Sequence, residues 1–265
     1  MPAVSKYIAV FRINLLQQLA YSGESLARSL SMVLFMVVFA SLWSTAFTVS
    51  GRSELSGFTF SALIWYLAMT ETLMLARARA HIDIGEAVKS GDIAYTLNKP
   101  YSFPLFQWAN ALGTSLVRAG FNFVVGIAVV LVLTQAVEGS VAGLLGFAVL
   151  GFLALVLDAG ISVLIGMCAF LLEEVKPIDW MYQKLVFTIG GLFMPLDIFP
   201  DWLRGLSNLL PFKYLVYAPA RTFVHFEAGF FFESLAGTTL YIGLIGGMLM
   251  LLYARGSRRL AVNGG

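Results

Sequence analysis

Charged side chains are scarce in this sequence. Only 12% of its 265 residues are charged and 59% are hydrophobic, whereas soluble domains average about 25% charged residues. So few charges cannot cover a solvated surface, and the composition therefore indicates an integral membrane protein. The net charge of +2 gives no reason to expect a nucleic-acid partner, which requires a concentrated positive field.

Cysteine and histidine are nearly absent, and this limits the chemistry available to the chain. Cys168 has no second cysteine to pair with, so a disulfide framework is excluded. The two histidines are His81 and His225, and no spacing of histidine, cysteine or carboxylate resembles a metal site. The patterns G-x-S-x-G and G-x-x-x-x-G-K-[ST] are also missing from the sequence. We therefore expect no catalytic residues, no metal and no cofactor in this chain.

Long apolar runs take the place of the missing charges. A helix of about 20 apolar residues crosses a bilayer. Six such runs predict an all-α polytopic membrane protein with a single transmembrane domain over residues 1–265. The fifth run is the least regular because it contains two glycines and a proline. The predicted spans are residues 29–50, 58–75, 106–135, 141–172, 181–199 and 234–253.

The basic residues other than Arg118 are distributed unevenly between the two ends of the spans, with Lys184 counted at the start of the fifth span. Twelve lysines and arginines fall on the side that carries both termini, and four fall on the other side. Positively charged loops remain in the cytoplasm. Both termini are therefore predicted to be cytoplasmic, in a multi-pass protein of the cell membrane. On this topology residues 77–105 are cytoplasmic and residues 194–229 are external.

Two segments outside the spans carry distinctive patterns. Residues 1–28 repeat apolar side chains at helical spacing, which predicts an amphipathic helix at the bilayer interface. The alternative is a helix packed on cytoplasmic parts of the same protein. The repeated positions are Val4, Ile8, Phe11, Leu15 and Leu19.

Residues 194–229 are apolar but interrupted by prolines. This pattern predicts short re-entrant helices whose irregular backbone must be buried in protein. A short helix between Pro200 and Pro211 is expected to start at Asp201. The residues singled out in this external segment are Pro195, Pro200, Trp202 and Pro211.

Three ionisable residues, Glu71, Arg118 and Asp158, lie inside predicted spans. An unpaired charge at the bilayer centre costs about 2.5–3.5 kcal/mol on insertion scales. Counted from the cytoplasmic ends, Arg118 and Asp158 lie at similar depth, which predicts an ion pair between adjacent helices. Glu71 is shallower and is expected near a wet cavity. The residues leave open whether the pair orients helices or marks a polar position on a substrate path.

The most polar stretch between two spans, residues 84–100, reads IGEAVKSGDIAYTLNKP. It resembles the cytoplasmic segment of the type-2 ABC export permeases, in particular the six-span subfamily, with a pattern like E-x-I-x-x-G-x-L-x-x-x-L-x-R-P. The N-terminal helix, the six spans and the proline-rich external segment are also similar to this family, so the resemblance covers nearly the whole chain. Matching positions are Glu86, Gly91, Asp92, Leu97 and Pro100, and the departures are Val88, Ile93 and Lys99.

This resemblance implies the membrane half of an ATP-driven exporter. A cavity lined by phenylalanine, methionine and leucine with few charges would suit an amphipathic or hydrophobic cargo. ATP and Mg²⁺ would be bound by a separate P-loop ATPase subunit, and a second permease chain, identical or sister, would complete the pore in the lipid bilayer. A short helix over residues 83–90 would be the coupling helix that enters a cleft of the ATPase. The implied coupling residues are Asp83, Glu86, Val88, Lys89, Gly91 and Asp92.

The residues of the insert favour such a helix independently of the resemblance. The sequence Ser90-Gly91-Asp92 predicts a sharp helix end, because glycine tolerates the left-handed conformation after a helix. Two alternatives are an ATP-independent transporter or channel and a membrane-embedded lipid-modifying enzyme. The lack of internal repeats and the scarcity of intramembrane charge disfavour the first, and the lack of a catalytic constellation disfavours the second.

Overall fold

A computed structural model describes residues 3–20, 22–97, 99, 101–172 and 174–263 of the protein. This part of the chain folds into α-helices and one two-stranded hairpin, in agreement with the predicted all-α fold. The helices are α1 (Ala3–Ala20), α2 (Ser22–Ser50), α3 (Phe60–Ala76), α4 (Ala80–Ser90), α5 (Ile93–Leu97), α6 (Phe103–Thr134), α7 (Val141–Met167), α8 (Lys176–Ile189), α9 (Asp201–Asn208), α10 (Tyr217–Val224) and α11 (Ala228–Asn263). Strands β1 (Glu54–Leu55) and β2 (Phe58–Thr59) pair antiparallel between α2 and α3.

Among the described residues, four helices are long and apolar enough to cross a membrane. They cover Ser29–Ser50, Phe103–Thr134, Val141–Phe170 and Ala228–Arg255, and they correspond to the first, third, fourth and sixth predicted spans. The predicted second span is α3, which has 17 residues. The predicted fifth span corresponds to α8, which has 14 residues and a length of roughly 21 Å.

The expected helix over residues 181–199 is therefore not continuous. Helix α8 begins earlier, at Lys176, and ends at Ile189. The chain leaves the helix at Gly190, and Gly191 adopts the left-handed conformation with φ +84°. A glycine pair at this point allows a turn that other residues would resist.

Helix α3 is buried along nearly its whole length because it is surrounded by α2, α6, α7 and α10. A helix that is apolar on every side is typical of such an interior position. Its start is fixed by Thr59, whose side chain accepts a hydrogen bond from the N–H of Ala62 (3.1 Å). The hairpin before it turns through Ser56 and Gly57, both with positive φ, as a tight two-residue turn requires.

Helix α7 lies at the centre of the fold and contacts α4, α6, α10 and α11. Its glycines allow these elements to approach closely. A Cβ atom at Gly160 would lie 2.7 Å from the Trp108 ring of α6, and one at Gly166 would lie 2.9 Å from Cα of His81 on α4. At Gly143 a Cβ atom would collide with the backbone carbonyl of Phe223 on α10. Two short helices, α4 and α10, are thus held against opposite ends of α7.

The N-terminal segment differs from the single amphipathic helix predicted over 1–28. Helix α1 ends at Ala20, and residues from Ser22 onward belong to α2. The face of α1 that meets α6 includes Asn14, whose amide donates to Asn110 Oδ1 (2.6 Å). Ile8 and Leu19, two positions of the predicted apolar face, are 60% and 48% exposed. The helix therefore contacts its own protein and also presents apolar side chains outward; the side chain of Val4 lies outside the described residues.

Candidate functional site

Helix α4 forms the centre of the insert between α3 and α6, which the sequence predicts to be cytoplasmic. It spans Ala80–Ser90 and ends at Gly91, which is left-handed with φ +83° and donates its N–H to the carbonyl of Val88 (3.3 Å). The predicted helix end at Ser90-Gly91-Asp92 is confirmed. The Ser90 hydroxyl donates to Asp92 Oδ2 (2.8 Å) just beyond the helix, so the turn after α4 is well defined. Pro100, the last position of the family-like pattern, lies outside the described residues.

The two faces of α4 are different. Its inner face consists of Ala80, His81, Ile84 and Gly85, which are buried. This face packs on the last turns of α7, where Gly166 leaves room for it. Four exposed positions, one just before the helix and three within it, repeat at intervals of four, three and four residues, which places them on one side of the helix. They are Arg79, Asp83, Glu86 and Ser90.

The other predicted coupling residues lie at the edges of this surface. Val88 is half-buried and packs beside the cluster that includes Ile84 and Met167. Lys89 is exposed and donates to Glu174 Oε2 (2.8 Å), which joins the end of α4 to the segment between α7 and α8. The hydrogen bond from Lys89, with a second from the N–H of Lys176, lowers the pKa of Glu174.

Two carboxyl groups on the exposed face of α4, Asp83 and Glu86, influence each other. Partial burial, and then the neighbouring carboxylate of Glu86, raise the pKa of Asp83. Arg118 acts in the opposite direction on the same carboxyl group. The outer side of α4 therefore carries two carboxylates that repel each other, a feature that a basic partner surface would relieve.

The linker from α3 into α4, residues 77–79, is held by side chains of two other helices. Ser115 of α6 accepts a hydrogen bond from the N–H of Ala78 (3.1 Å), and Ser162 of α7 donates to the carbonyl of Ala78 (3.2 Å). Arg118 Nη1 donates to the carbonyl of Arg77 (3.3 Å). Non-helical backbone in the interior requires such partners, so the linker is fixed relative to α6 and α7.

Asp158 is paired with Arg77, and the predicted ion pair between Arg118 and Asp158 is wrong. Asp158 is 4% exposed, and its Oδ1 accepts from Arg77 Nε (2.7 Å) and from the hydroxyl of Tyr182 on α8 (2.7 Å). The Arg77 guanidinium also lies 4.5 Å from the Tyr182 ring centroid. Glu71 is 4% exposed and lies in the interior of α3, apart from this pair.

A second polar contact connects α4 itself to α8. His81 Nε2 lies 3.3 Å from Asp179 Oδ2, and His81 Nδ1 lies 3.2 Å from the Ser162 hydroxyl on α7. Gln183 also donates to Asp179. His81 contacts residues that are far from it in the chain, so no spacing in the sequence predicts these contacts. The polar positions 179, 182 and 183 share one face of α8, and this spacing in the sequence could have indicated a polar contact surface on the helix.

Two cavities flank this network. One, of about 290 Å³, is lined by both apolar and polar side chains, and the polar ones include Arg77, His81, Asp179 and Gln183. The other, of about 260 Å³, lies between α4 and the segment before α8 and is lined by Glu86, Lys89, Glu174 and Lys176 among others. The second cavity forms a charged cleft directly beside the exposed face of α4.

The proline-rich segment after α8 forms short helical turns and packs on the protein. Pro195 precedes a 3-10 turn at Leu196–Ile198, Pro200 precedes α9, and Pro211 begins another 3-10 turn. Helix α9 starts at Asp201 as expected, and Trp202 is 73% exposed. Helix α10 is buried against α3 and α7.

Arg204, which no pattern in the sequence singles out, stabilises this irregular backbone. Its guanidinium donates to the carbonyls of Leu196 (3.1 Å), Asp197 (2.7 Å) and Phe199 (3.2 Å). The Asp197 carboxylate in turn accepts from the Tyr217 hydroxyl (2.9 Å). Three carbonyls of the irregular backbone between α8 and α9 thereby have hydrogen-bond partners, as non-helical backbone packed within a protein requires.

The chain combines long apolar helices with a packed helical insert between α3 and α6. A sequence profile described as ABC-2 family transporter protein matches residues 26–264. The chain belongs to the ABC-2 transporter family. Its predicted membership is confirmed, and the protein is a multi-pass membrane component of a transporter of this family rather than an enzyme. Among the curated proteins, none matches this ABC-2 protein.

Proposed function

We propose that this ABC-2 protein is the permease subunit of an ATP-driven exporter that moves an amphipathic or hydrophobic cargo outward. A separate P-loop ATPase binds ATP and Mg²⁺ and docks on the outer face of α4. A second permease chain, identical or sister, completes the transport pathway. Both termini lie in the cytoplasm, and the protein resides in the cell membrane.

The observation that carries this proposal is the two-sided construction of α4. Its exposed side offers Arg79, Asp83 and Glu86 to a partner, while its inner side is packed on α7 at Gly166. His81 connects the same helix to Asp179 of α8. A force applied to the exposed face is therefore transmitted to two membrane helices through a buried contact and a polar contact. A solvated loop has no such connections.

In this proposal the chain crosses the membrane six times. Four crossings are the long apolar helices, and α3 and the region of α8 supply the other two. Helix α6 has 32 residues, a length of roughly 48 Å, against a hydrocarbon thickness of about 30 Å. If its apolar end at Thr134 reaches the external boundary, Arg118 lies close to the cytoplasmic boundary. The same count from Val141 along α7 places Asp158 there too. The polar network then borders the cytoplasm instead of occupying the bilayer centre.

Charge reversal on the exposed face of α4 tests the proposal. Glu86→Lys should reduce the amount of P-loop ATPase that co-purifies with the chain, or the transport-coupled ATP turnover where binding persists. The fold should be unaffected because Glu86 is exposed. The matched control is Glu54→Lys, an equally exposed glutamate in β1. If ATPase recovery and turnover are the same in wild type and Glu86→Lys, α4 is not the docking element.

Gly91 provides a second variant in which only the backbone is disturbed. A Cβ at Gly91 meets no atom within 4 Å, so a side chain is opposed by the positive φ alone. Gly91→Val should distort the end of α4 and weaken ATPase binding. Gly91→Asn should be much milder, because asparagine tolerates the left-handed region. Equal ATPase binding by the two variants would show that the shape of this turn is irrelevant to docking.

A further inference from the structure

His81 lies on the inner face of α4, where it meets two other helices. The residue is 4% exposed. Its ring nitrogen Nε2 lies 3.3 Å from Asp179 Oδ2 on α8, and its Nδ1 lies 3.2 Å from the Ser162 hydroxyl oxygen on α7. A neutral imidazole carries a proton on only one of its two nitrogens. The hydrogen-bonding roles of Asp179 and Ser162 therefore determine how many protons the ring carries.

The partner on α8 can only accept a hydrogen bond. An ionised carboxylate has no proton to donate, so Nε2 must be protonated to bond to Asp179. The same carboxylate also accepts from the side-chain amide of Gln183. Hydrogen bonds from two donors favour the ionised form of a carboxyl group. One proton of His81 is therefore assigned to Nε2.

The partner on α7 uses its own proton in another hydrogen bond. The Ser162 hydroxyl donates to the carbonyl of Ala78 (3.2 Å) and accepts from the backbone N–H of His81 (3.4 Å). A hydroxyl has one donor and two acceptor positions, so the position left for Nδ1 is an acceptor. Turning the hydroxyl toward Nδ1 would take this donor away from the carbonyl of buried Ala78, which is costly in the interior. A second proton of His81 is therefore assigned to Nδ1.

The other charges around the ring balance each other among the described residues. The cavity of about 290 Å³ that His81 lines is also lined by Arg77, Arg79 and Asp179. The cavity of about 260 Å³ on its other side is lined by Glu86, Lys89, Glu174 and Lys176. On α4 itself, Asp83 also interacts with His81. Acidic and basic groups are equal in number, so the direct contact with Asp179 dominates the field at the ring.

We propose that His81 is held as an imidazolium ion and that its two protons fasten α4 to α7 and α8 at the same time. Loss of either proton breaks one of the two contacts, because the bare nitrogen then faces an acceptor on Asp179 or Ser162. The fold thus contains a pH-sensitive contact at the base of α4. This inference goes beyond the proposed function, and its tests need no ATPase, so each can fail without the other.

The protonation of His81 can be read directly, because the chain has only two histidines, His81 and His225. Selective ¹⁵N labelling of histidine in the nanodisc-embedded chain distinguishes an imidazolium ring from a neutral one by NMR. Near neutral pH, His81 should show two protonated nitrogens. His225 is the reference, because partial burial and then Arg221 lower its pKa, so its ring should be neutral. The signals are assigned with His81→Gln and His225→Gln, and a neutral ring at His81 would overturn the proposal.

Replacing the carboxylate on α8 tests why the ring is charged. Asp179→Asn exchanges an obligatory acceptor for an amide, which can also donate, so His81 should become neutral near neutral pH. The matched control is Asp201→Asn on α9, an exposed aspartate that should leave the signals of His81 unchanged. A wild-type imidazolium signal in Asp179→Asn would contradict the proposal, since Asp179 would then not hold the proton.

Thermal unfolding of the purified chain gives the corresponding energetic test. His81→Gln can still form hydrogen bonds but cannot carry a charge. A proton held by the folded chain stabilises it at low pH, and this stabilisation is lost as the pH rises. Between about pH 6 and pH 8, where histidine titrates, the advantage of wild type over His81→Gln should therefore shrink. The expected shift is about 2–4 °C, as for one hydrogen bond in a chain of this size.

The matched control for this measurement is His225→Gln. His225 has a lowered pKa, so the difference between wild type and His225→Gln should not shrink as the pH rises. A constant difference between wild type and His81→Gln over the same range would overturn the proposal. Equal shrinkage for the two histidine variants would overturn it too. If His81→Gln does not fold, the NMR spectra of wild type and Asp179→Asn decide the question.

Discussion

At the scale of single residues, Asp158 is a buried carboxylate whose stability depends on its contacts with Arg77 and Tyr182. Its side chain is 5% exposed and that of Arg77 is 15% exposed, so neither charge is fully compensated by water. Burial of a lone carboxylate is costly, and a close guanidinium together with a tyrosine hydroxyl offsets that cost. Three elements, α7, α8 and the end of α3, meet at this one oxygen.

This pairing makes a prediction that distinguishes Arg77 from Arg118. Arg77→Gln should lower the free energy of unfolding by about 3 kcal/mol, because it leaves the Asp158 carboxylate buried without its cation. Asp158→Asn should be costly as well, and the double variant should lose less than the sum, with a coupling of about 1–3 kcal/mol. Thermal or denaturant unfolding in detergent measures these values.

The corresponding cycle with Arg118 is the control. Arg118→Gln and Asp158→Asn should add without coupling, and exchanging the two charges should rescue nothing. A strong coupling in the Arg118 cycle, or none in the Arg77 cycle, would contradict the pairing of Arg77 with Asp158.

At the scale of elements, the contact between α4 and α7 determines whether the insert moves with the membrane helices. It rests on close approach, since Gly166 lies beneath His81 and Ile84. On the same side of α4, a Cβ atom at Gly85 would lie 3.2 Å from a methyl group of Val175. Packed helices have discrete arrangements and do not deform smoothly. A displacement of α4 therefore carries α7 with it.

Gly166→Ala should separate α4 from α7. The added methyl would lie 2.9 Å from a backbone atom of α4, so the helix must shift, with a loss of about 1–3 kcal/mol. Both thermal stability and ATPase-coupled transport should fall. The matched control is Gly247→Ala on α11, where nothing lies within 4 Å. That change should be neutral or stabilising by up to about 1 kcal/mol, and the reverse ranking would rule out close packing at Gly166.

At the scale of the whole molecule, the sequence was sufficient for the features that depend on local pattern. Apolar length identified the long helices, the glycine identified the end of α4, and the proline at position 200 identified the start of α9. The sequence did not reveal which side chains on different helices contact each other. The prediction paired Arg118 with Asp158 because the two residues lie at similar depth in their helices. The sequence does not show that the end of α3 places Arg77 beside Asp158 on α7. Helix α8 was misjudged for a similar reason, since apolarity alone does not reveal where a glycine pair breaks the helix.

Topology is the prediction that belongs to this scale. Cys168 is the sole cysteine, so its replacement by serine gives a background for single cysteines at positions 54, 92 and 205. All three positions are exposed. An impermeant maleimide applied to intact cells should label positions 54 and 205, and position 92 only after permeabilisation. Labelling of position 92 from outside would reverse the orientation and remove α4 from the cytoplasm.

The break after α8 has a consequence for biosynthesis. The carbonyl of Gly191 accepts a hydrogen bond from the hydroxyl of Tyr66, and that of Leu192 accepts one from Thr70 (3.1 Å). These donors belong to α3, which the ribosome completes long before it reaches α8. A carbonyl outside a helix cannot enter hydrocarbon without a partner. When this stretch is synthesised, the helix that supplies its hydrogen-bond donors is already complete. In a chain that lacks α3, the stretch should therefore fail to enter the membrane.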